Sequence, residues 1–151
     1  MAKKETLTIG SVPAPAINIH FTVGTGGNND KADVMLIQAM FFYIGAAAYG
    51  SPELSLGFPV NEIPVITGIC DSKTKRAIIR FQHRNAKNLL GADGLIHPAS
   101  YEGRNIKSGT QRMMTITWLH FLGGLFEIYH PDVNYIDGLM RVAPGLRPSL
   151  M

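Results

Sequence analysis

The sequence predicts a mainly α fold: a core of three helices, a small flanking antiparallel β-sheet and an extra C-terminal helix. Three observations carry this expectation. Apolar residues recur at three- and four-residue spacing across 34–44 and again across 74–82, the period of an amphipathic helix. Residues 118–129 are apolar nearly all round, as in a buried helix. Residues 5–23 instead alternate every second position around prolines, as short strands do.

The elements follow in chain order. Leu7 and Ile9 alternate with Thr6, Thr8 and Gly10, and Ile17 to Val23 alternates again beyond Pro13-Ala14-Pro15, so strands are predicted at 5–10 and 16–23. Gly24 to Asn29 reads as a connector, and Asp30 as the N-cap of a first helix carrying Val34, Ile37, Gln38, Phe41 and Ile44 and stopped by Gly45. Pro52, Pro59 and Pro64 make 50–68 a loop, because proline is excluded from helix interiors. Asp71 caps a second helix with Thr74, Ala77, Ile78, Phe81 and Gln82 on one face. Lys73, Arg76, Arg80, Arg84 and Lys87 form a basic stripe beside that face. Residues 88–95 form a turn, and Pro98 opens a short helical turn at 97–101. Residues 111–117 read as a third strand, and 118–129 as a buried helix ended by His130-Pro131. A last short helix at about 133–142 precedes a proline-rich tail.

Two segments about 26 residues apart share one pattern: Thr67-Gly68-Ile69-Cys70-Asp71-Ser72-Lys73-Thr74 and Asp93-Gly94-Leu95-Ile96-His97-Pro98-Ala99-Ser100. Each reads turn, glycine, apolar pair, cap and hydroxyl. With Val34, Ile37-Gln38, Phe41 and Ile44-Gly45 before them, and Ala77-Ile78 and Phe81-Gln82 between them, residues 30–101 resemble the peptidoglycan-binding-like domain family. Thr67 stands where that family's first turn has Asp, Asp71 and His97 replace glycines, Cys70 replaces a large apolar residue, and the 46–66 loop is long. The resemblance implies an orthogonal three-helix bundle in which Gln38, Phe81, Gln82 and the turn glycines are structural. It also implies a non-catalytic module for peptidoglycan or an anionic cell-envelope glycan, or the same fold used as an interaction scaffold. Residues 1–29 and 102–151 fall outside it and are expected to be integral extensions of a single 1–151 domain.

The remaining features weigh against other chemistries. At 46% hydrophobic and 17% charged residues the chain has material for a core, and its net charge of +3 is modest for a nucleic-acid binder. The five histidines lack metal-ligand spacing, and the single cysteine, Cys70, sits at a core position of a turn rather than beside a base. Asp71 and Asp93 read as cap and turn residues, His97 as a cap and His120 as a paired near-core histidine. Gly24-Thr25-Gly26-Gly27 lacks the lysine of a phosphate loop. No enzyme activity, metal or cofactor is therefore expected. No apolar stretch reaches the roughly 18 to 20 residues of a membrane span. No apolar run of roughly 7 to 15 residues follows Lys3-Lys4. The chain is thus expected to be cytoplasmic as synthesised, reaching a wall only by a non-classical route or as part of a particle.

The expected ligand site is a shallow groove beside the second helix and the 91–101 turn, with Arg80, His83, Arg84 and Tyr101 as contacts. The plainer reading of the basic stripe is a solvated face. Trp118 to Phe126 reads as core, with a docking surface for a protein partner as the alternative. The competing function is a structural or adaptor subunit of a bacterial or phage secretion, injection or tail assembly.

Overall fold

A computed structural model of the chain describes residues 3–9, 12–46, 52–99, 105–106, 114–129 and 134–150. Strands β1 (Lys3–Ile9), β2 (Val12–Asn18) and β3 (Val23–Gly24) come first, followed by helices α1 (Lys31–Ala46), α2 (Pro52–Leu56) and α3 (Ser72–Arg84). The chain continues through β4 (Leu95–Ile96) and β5 (Asn105–Ile106) to α4 (Thr115–Tyr129), α5 (Tyr135–Val142) and α6 (Arg147–Leu150). Short 3-10 turns occupy Val60–Glu62, Ala86–Asn88 and Pro144–Leu146. The fold is mainly α-helical with small sheets at its flank, as the periodicities predict.

β1 and β2 pair antiparallel from Lys3 opposite Asn18 to Ile9 opposite Val12. Pro13 and Pro15 lie on β2, an edge strand, where a missing N–H is tolerated. The second strand ends earlier than its alternation suggests. The buried Asp33 carboxylate accepts the His20 and Phe21 amides at 3.0 and 2.9 Å and draws the chain out of strand geometry after Asn18. Val23 and Gly24 then pair with Ile96 and Leu95 in a separate two-stranded ladder. The third strand predicted at 111–117 is not formed by its described part. Thr115 to Thr117 open α4, whose Ile116 and Leu119 drop fully buried into the core at helical spacing, and the slot beside β1 is filled in parallel by β5. Residues 111–113 lie outside the described residues.

Three further expectations change. Pro52 opens a five-residue helix instead of breaking one, since a first-turn proline loses no helical bond. Gly45 is the penultimate residue of α1, and its need is close approach: a Cβ there would collide with Ile63 Cδ1. Residues 97–99 are not helical, because Asn18 holds both polar groups of the Ala99 backbone, its Nδ2 donating to Ala99 O at 2.7 Å and its Oδ1 accepting Ala99 N–H at 2.9 Å. The last predicted helix is α5, capped by Asn134, and the proline-rich tail forms a 3-10 turn and α6.

α1 is buried almost all round, packed against α2, α4 and α5. Phe41 at its middle meets Phe58 and Phe81 edge-to-face, each with ring centres 5.7 Å apart. One apolar cluster runs from Ile17 through these rings to Leu150. Two glutamines tie the helices to the turns that follow them. On α1, Gln38 Oε1 accepts the Thr67 and Gly68 amides at 2.9 and 2.8 Å, while its Nε2 donates to Ile69 O and Thr74 Oγ1, both at 3.0 Å. On α3, Gln82 repeats the device: Oε1 accepts Gly94 N–H at 2.8 Å, and Nε2 donates to Leu95 O and Thr115 Oγ1 at 2.9 and 3.1 Å. Both turn glycines adopt the left-handed conformation, with φ of +82° and +81°.

The two clamps differ in the origin of the hydroxyl. Thr74 lies 6 positions beyond Gly68 in the first, whereas Thr115 lies 21 beyond Gly94 in the second. Thr115 thus supplies the hydroxyl that the sequence pattern looks for at Ser100, so glycine and hydroxyl lie further apart in sequence in the second unit. β5 lies in the stretch between them and pairs with β1, while β2 and β1 also pack against α4 and α6, respectively.

Asp71 caps α3 as predicted, accepting from Thr74 N–H at 2.9 Å and Thr74 Oγ1–H at 2.6 Å. Those two donors hold its carboxyl below the usual range. The unfolded chain therefore takes up this proton first as pH falls. The cap's contribution is complete above the ordinary carboxylate range and is lost as pH drops through the lower folded value. Asp71→Ala is expected to cost about 1 kcal/mol at neutral pH. Asp71→Asn, which caps without a charge, should flatten this acid-side loss in melts recorded from pH 6 down to pH 2.

Candidate functional site

α3 ends at Arg84, and the side chain of its C-cap residue Asn85 joins three helices at that point. Its Nδ2 donates to Phe81 O at 2.9 Å and to Ser55 O of α2 at 2.7 Å, and its Oδ1 accepts the Trp118 indole N–H of α4 at 2.9 Å. Arg84 Nε donates to Leu54 O, adding a second link to α2. The seam between these elements is an open groove of about 570 Å³ lined by Leu54, Ser55, His83, Arg84, Asn85, Ala86, Lys87, Asn88, Trp118 and Leu122. Leu54, Trp118 and Leu122 supply its apolar surface. The Trp118 ring stacks on Phe121 with centres 5.2 Å apart and planes 19° from parallel. Held through its N–H and braced by a second ring, Trp118 is a fixed platform.

The basic stripe divides between two tasks. Arg80 pairs with Glu62 and lies 5.9 Å from the centre of the Phe58 ring, on the side of the 60–62 turn and outside the groove. Lys73 Nζ approaches Asn61 O at 3.5 Å. Arg80 and Lys73 thus hold the 58–62 segment against α3, a role distinct from both a solvated face and a ligand contact. Arg84 adds its Nε bond to Leu54 O and leaves its terminal amino groups for the groove. Arg76 is exposed, and His83, Arg84 and Lys87 reach the groove.

Of the residues predicted to contact ligand, the structure therefore brings His83 and Arg84 together and turns Arg80 to Glu62. Tyr101 lies outside the described residues. The 90–97 turn borders a different, smaller hollow of about 230 Å³ with Leu90, Gly91, Asp93, Leu95, His97, Met114 and Thr115. There His97 Nε2 meets Asp93 Oδ2 at 2.9 Å, a pairing that holds the Asp93 carboxyl low and replaces the predicted capping role of His97. His120 is half-buried and meets the Tyr135 ring at 5.5 Å.

The sequence reading missed Leu54, Asn85, Asn88, Trp118 and Leu122 as groove residues. One signal for them existed: the chain's single tryptophan is followed at i+3 by Phe121, and two asparagines, Asn85 and Asn88, follow the second helix.

Cys70 is half-buried, and burial pushes its thiol up against the opposing pull of Lys75, away from the thiolate a nucleophile needs. Among the described residues no three His, Cys, Asp or Glu side chains converge as metal ligands, and no helix is long and apolar enough to cross a membrane. No protein family, curated protein or solved structure matches the chain.

Proposed function

We propose that this protein is a non-catalytic binding module for peptidoglycan or a related cell-envelope glycan, and that the groove between α2, α3 and α4 holds the ligand. The observation that carries the reading is the composition of that groove. A fixed indole and two leucines lie beside His83, Arg84, Asn88 and Lys87 in an open channel. Saccharides present apolar ring faces alternating with rows of hydroxyl and amide groups, and they suit a site with an apolar wall and a few placed polar groups. The doubled glutamine–turn clamp supports the resemblance of residues 30–101 to peptidoglycan-binding-like modules. In this reading His83 and Arg84 are ligand contacts, joined by Lys87, Asn88 and Trp118, while Arg80 acts in the fold.

The test is co-sedimentation with purified peptidoglycan sacculi at low and moderate salt, using the native chain and a His83→Ala/Lys87→Ala double variant. The native chain is expected to pellet at both salt concentrations. The double variant should lose about tenfold in affinity, as two polar contacts of modest net value imply, with an unchanged melting temperature. A native chain that stays in the supernatant at low salt overturns the reading. Leu54 in the groove and Phe121 against the Trp118 ring, 60% and 43% exposed, favour a second reading as an adaptor in a larger assembly. Failure to pellet, together with concentration-dependent self-association, would select it.

A further inference from the structure

We infer that the groove is selective for a carboxylate-bearing saccharide over a neutral one. This deepens the glycan reading and rests on it. Three of the ten lining residues, His83, Arg84 and Lys87, can carry positive charge, and none is Asp or Glu. These cations are not consumed within the fold. Arg84 uses only its Nε on Leu54 O, and His83, Lys87 and Asn88 make no side-chain hydrogen bond or ion pair with another described residue.

A simpler purpose for them is to offset the negative pole of α3, whose last turn holds His83 and Arg84. That pole amounts to about half an elementary charge, whereas Arg84 and Lys87 supply two full charges at neutral pH. The groove therefore stays positive after the helix is compensated. The two terminal amino groups of the Arg84 guanidinium form the planar donor pair that grips a carboxylate in two parallel hydrogen bonds. Trp118, Leu54 and Leu122 share the groove with these donors. The ligand that uses both is a pyranose unit seated on the apolar wall with a carboxylate reaching His83, Arg84 and Lys87.

In intact cell-wall material the free carboxylates are those of the stem peptide, because the lactyl carboxyl of the sugar is bound in the amide to that peptide. Amidase hydrolysis of the amide frees the lactyl carboxylate, and one experiment compares the two. The full-length chain is sedimented with three preparations: intact sacculi, sacculi whose carboxylates have been amidated with carbodiimide and methylamine, and glycan strands stripped of stem peptides by an amidase. Amidation is expected to weaken binding at least about tenfold, the value of one charge-assisted pair. Retention on stripped strands then shows that the groove also accepts the lactyl carboxylate freed by the amidase. Its loss there, with intact sacculi still bound, assigns it to the peptide. Both results support the inference.

Two surface variants separate the groove from general charge attraction. Lys87→Glu should abolish the preference for unmodified sacculi, while Arg76→Glu, the same charge reversal at an exposed position outside the groove, should retain it. Equal binding to intact and amidated sacculi overturns the carboxylate inference and leaves the glycan reading standing, and equal losses in the two variants also overturn it. Absence of binding to intact sacculi overturns both.

Discussion

Gln38→Leu is expected to destabilise the protein by about 3 to 5 kcal/mol, lowering the melting temperature by roughly 10 °C or more. Gln38 is fully buried and makes four hydrogen bonds, three of them to the backbone of Thr67, Gly68 and Ile69. Leucine fills a similar volume, so the loss comes from backbone groups left without partners where water cannot reach them easily. Each such group costs on the order of 1 to 3 kcal/mol, which decides the sign despite the gain in apolarity. Gln38→Glu separates the two halves of the clamp. It keeps an acceptor for the Thr67 and Gly68 amides, loses the donor to Ile69 O, and places a charge in a buried site. It should therefore also destabilise at neutral pH, and recover part of the loss as the carboxyl protonates on acidification. Thermal melts of the three proteins check this, and a leucine variant within about 1 kcal/mol of the native chain would show that the clamp is not a principal support.

Phe41→Ala is expected to cost about 3 to 5 kcal/mol, the usual range for deleting a buried aromatic ring. The ring is fully buried and bridges α3, through Phe81, to the segment after α2, through Phe58. Its loss opens a cavity where three elements meet, and rigid helices cannot close it. Because the Phe41 and Phe81 rings touch, their alanine variants should not add. A double-variant cycle should give a coupling of about 0.5 to 1.5 kcal/mol from the edge-to-face pair. Val65→Ala is the contrast: Val65 is 68% exposed, so its removal should change stability by less than about 0.5 kcal/mol. Denaturant unfolding measures all four variants on one scale.

Local rules made most of the helical framework legible. The 3.6-residue period placed α1 and the start of α3 within a residue, because their apolar stripes face one core. α3 ends at Arg84, three residues before the expected end, and leaves Lys87 in the following 3-10 turn. Asp71 was readable as a cap from its place before the helix, and Gln38 and Gln82 as structural residues through the family resemblance; the clamps they form on the turns emerge only in the fold. What escaped depends on distant partners. Thr115-Ile116-Thr117 has the β-branched composition of a strand, yet the hydroxyl bond from Gln82 and the burial of Ile116 commit it to helix. Arg80 was legible as a cation on a stripe, but its partner Glu62 lies 18 residues back in a segment the prolines marked only as loop. The groove was least legible of all. Asn85 and Trp118 are 33 residues apart, and only packing makes them neighbours. Trp118 therefore read as an ordinary core residue of an apolar helix.

Trp118 is the chain's single tryptophan and lines the proposed groove, so its fluorescence reports on that site without a label. The most direct test of the central claim is a titration of the native chain with soluble muropeptide, following Trp118 emission. A saturable change in intensity or wavelength, weakened in His83→Ala/Lys87→Ala, is the expected result. Emission that stays constant to millimolar muropeptide, with the protein folded throughout, would contradict the assignment of this groove as the glycan site.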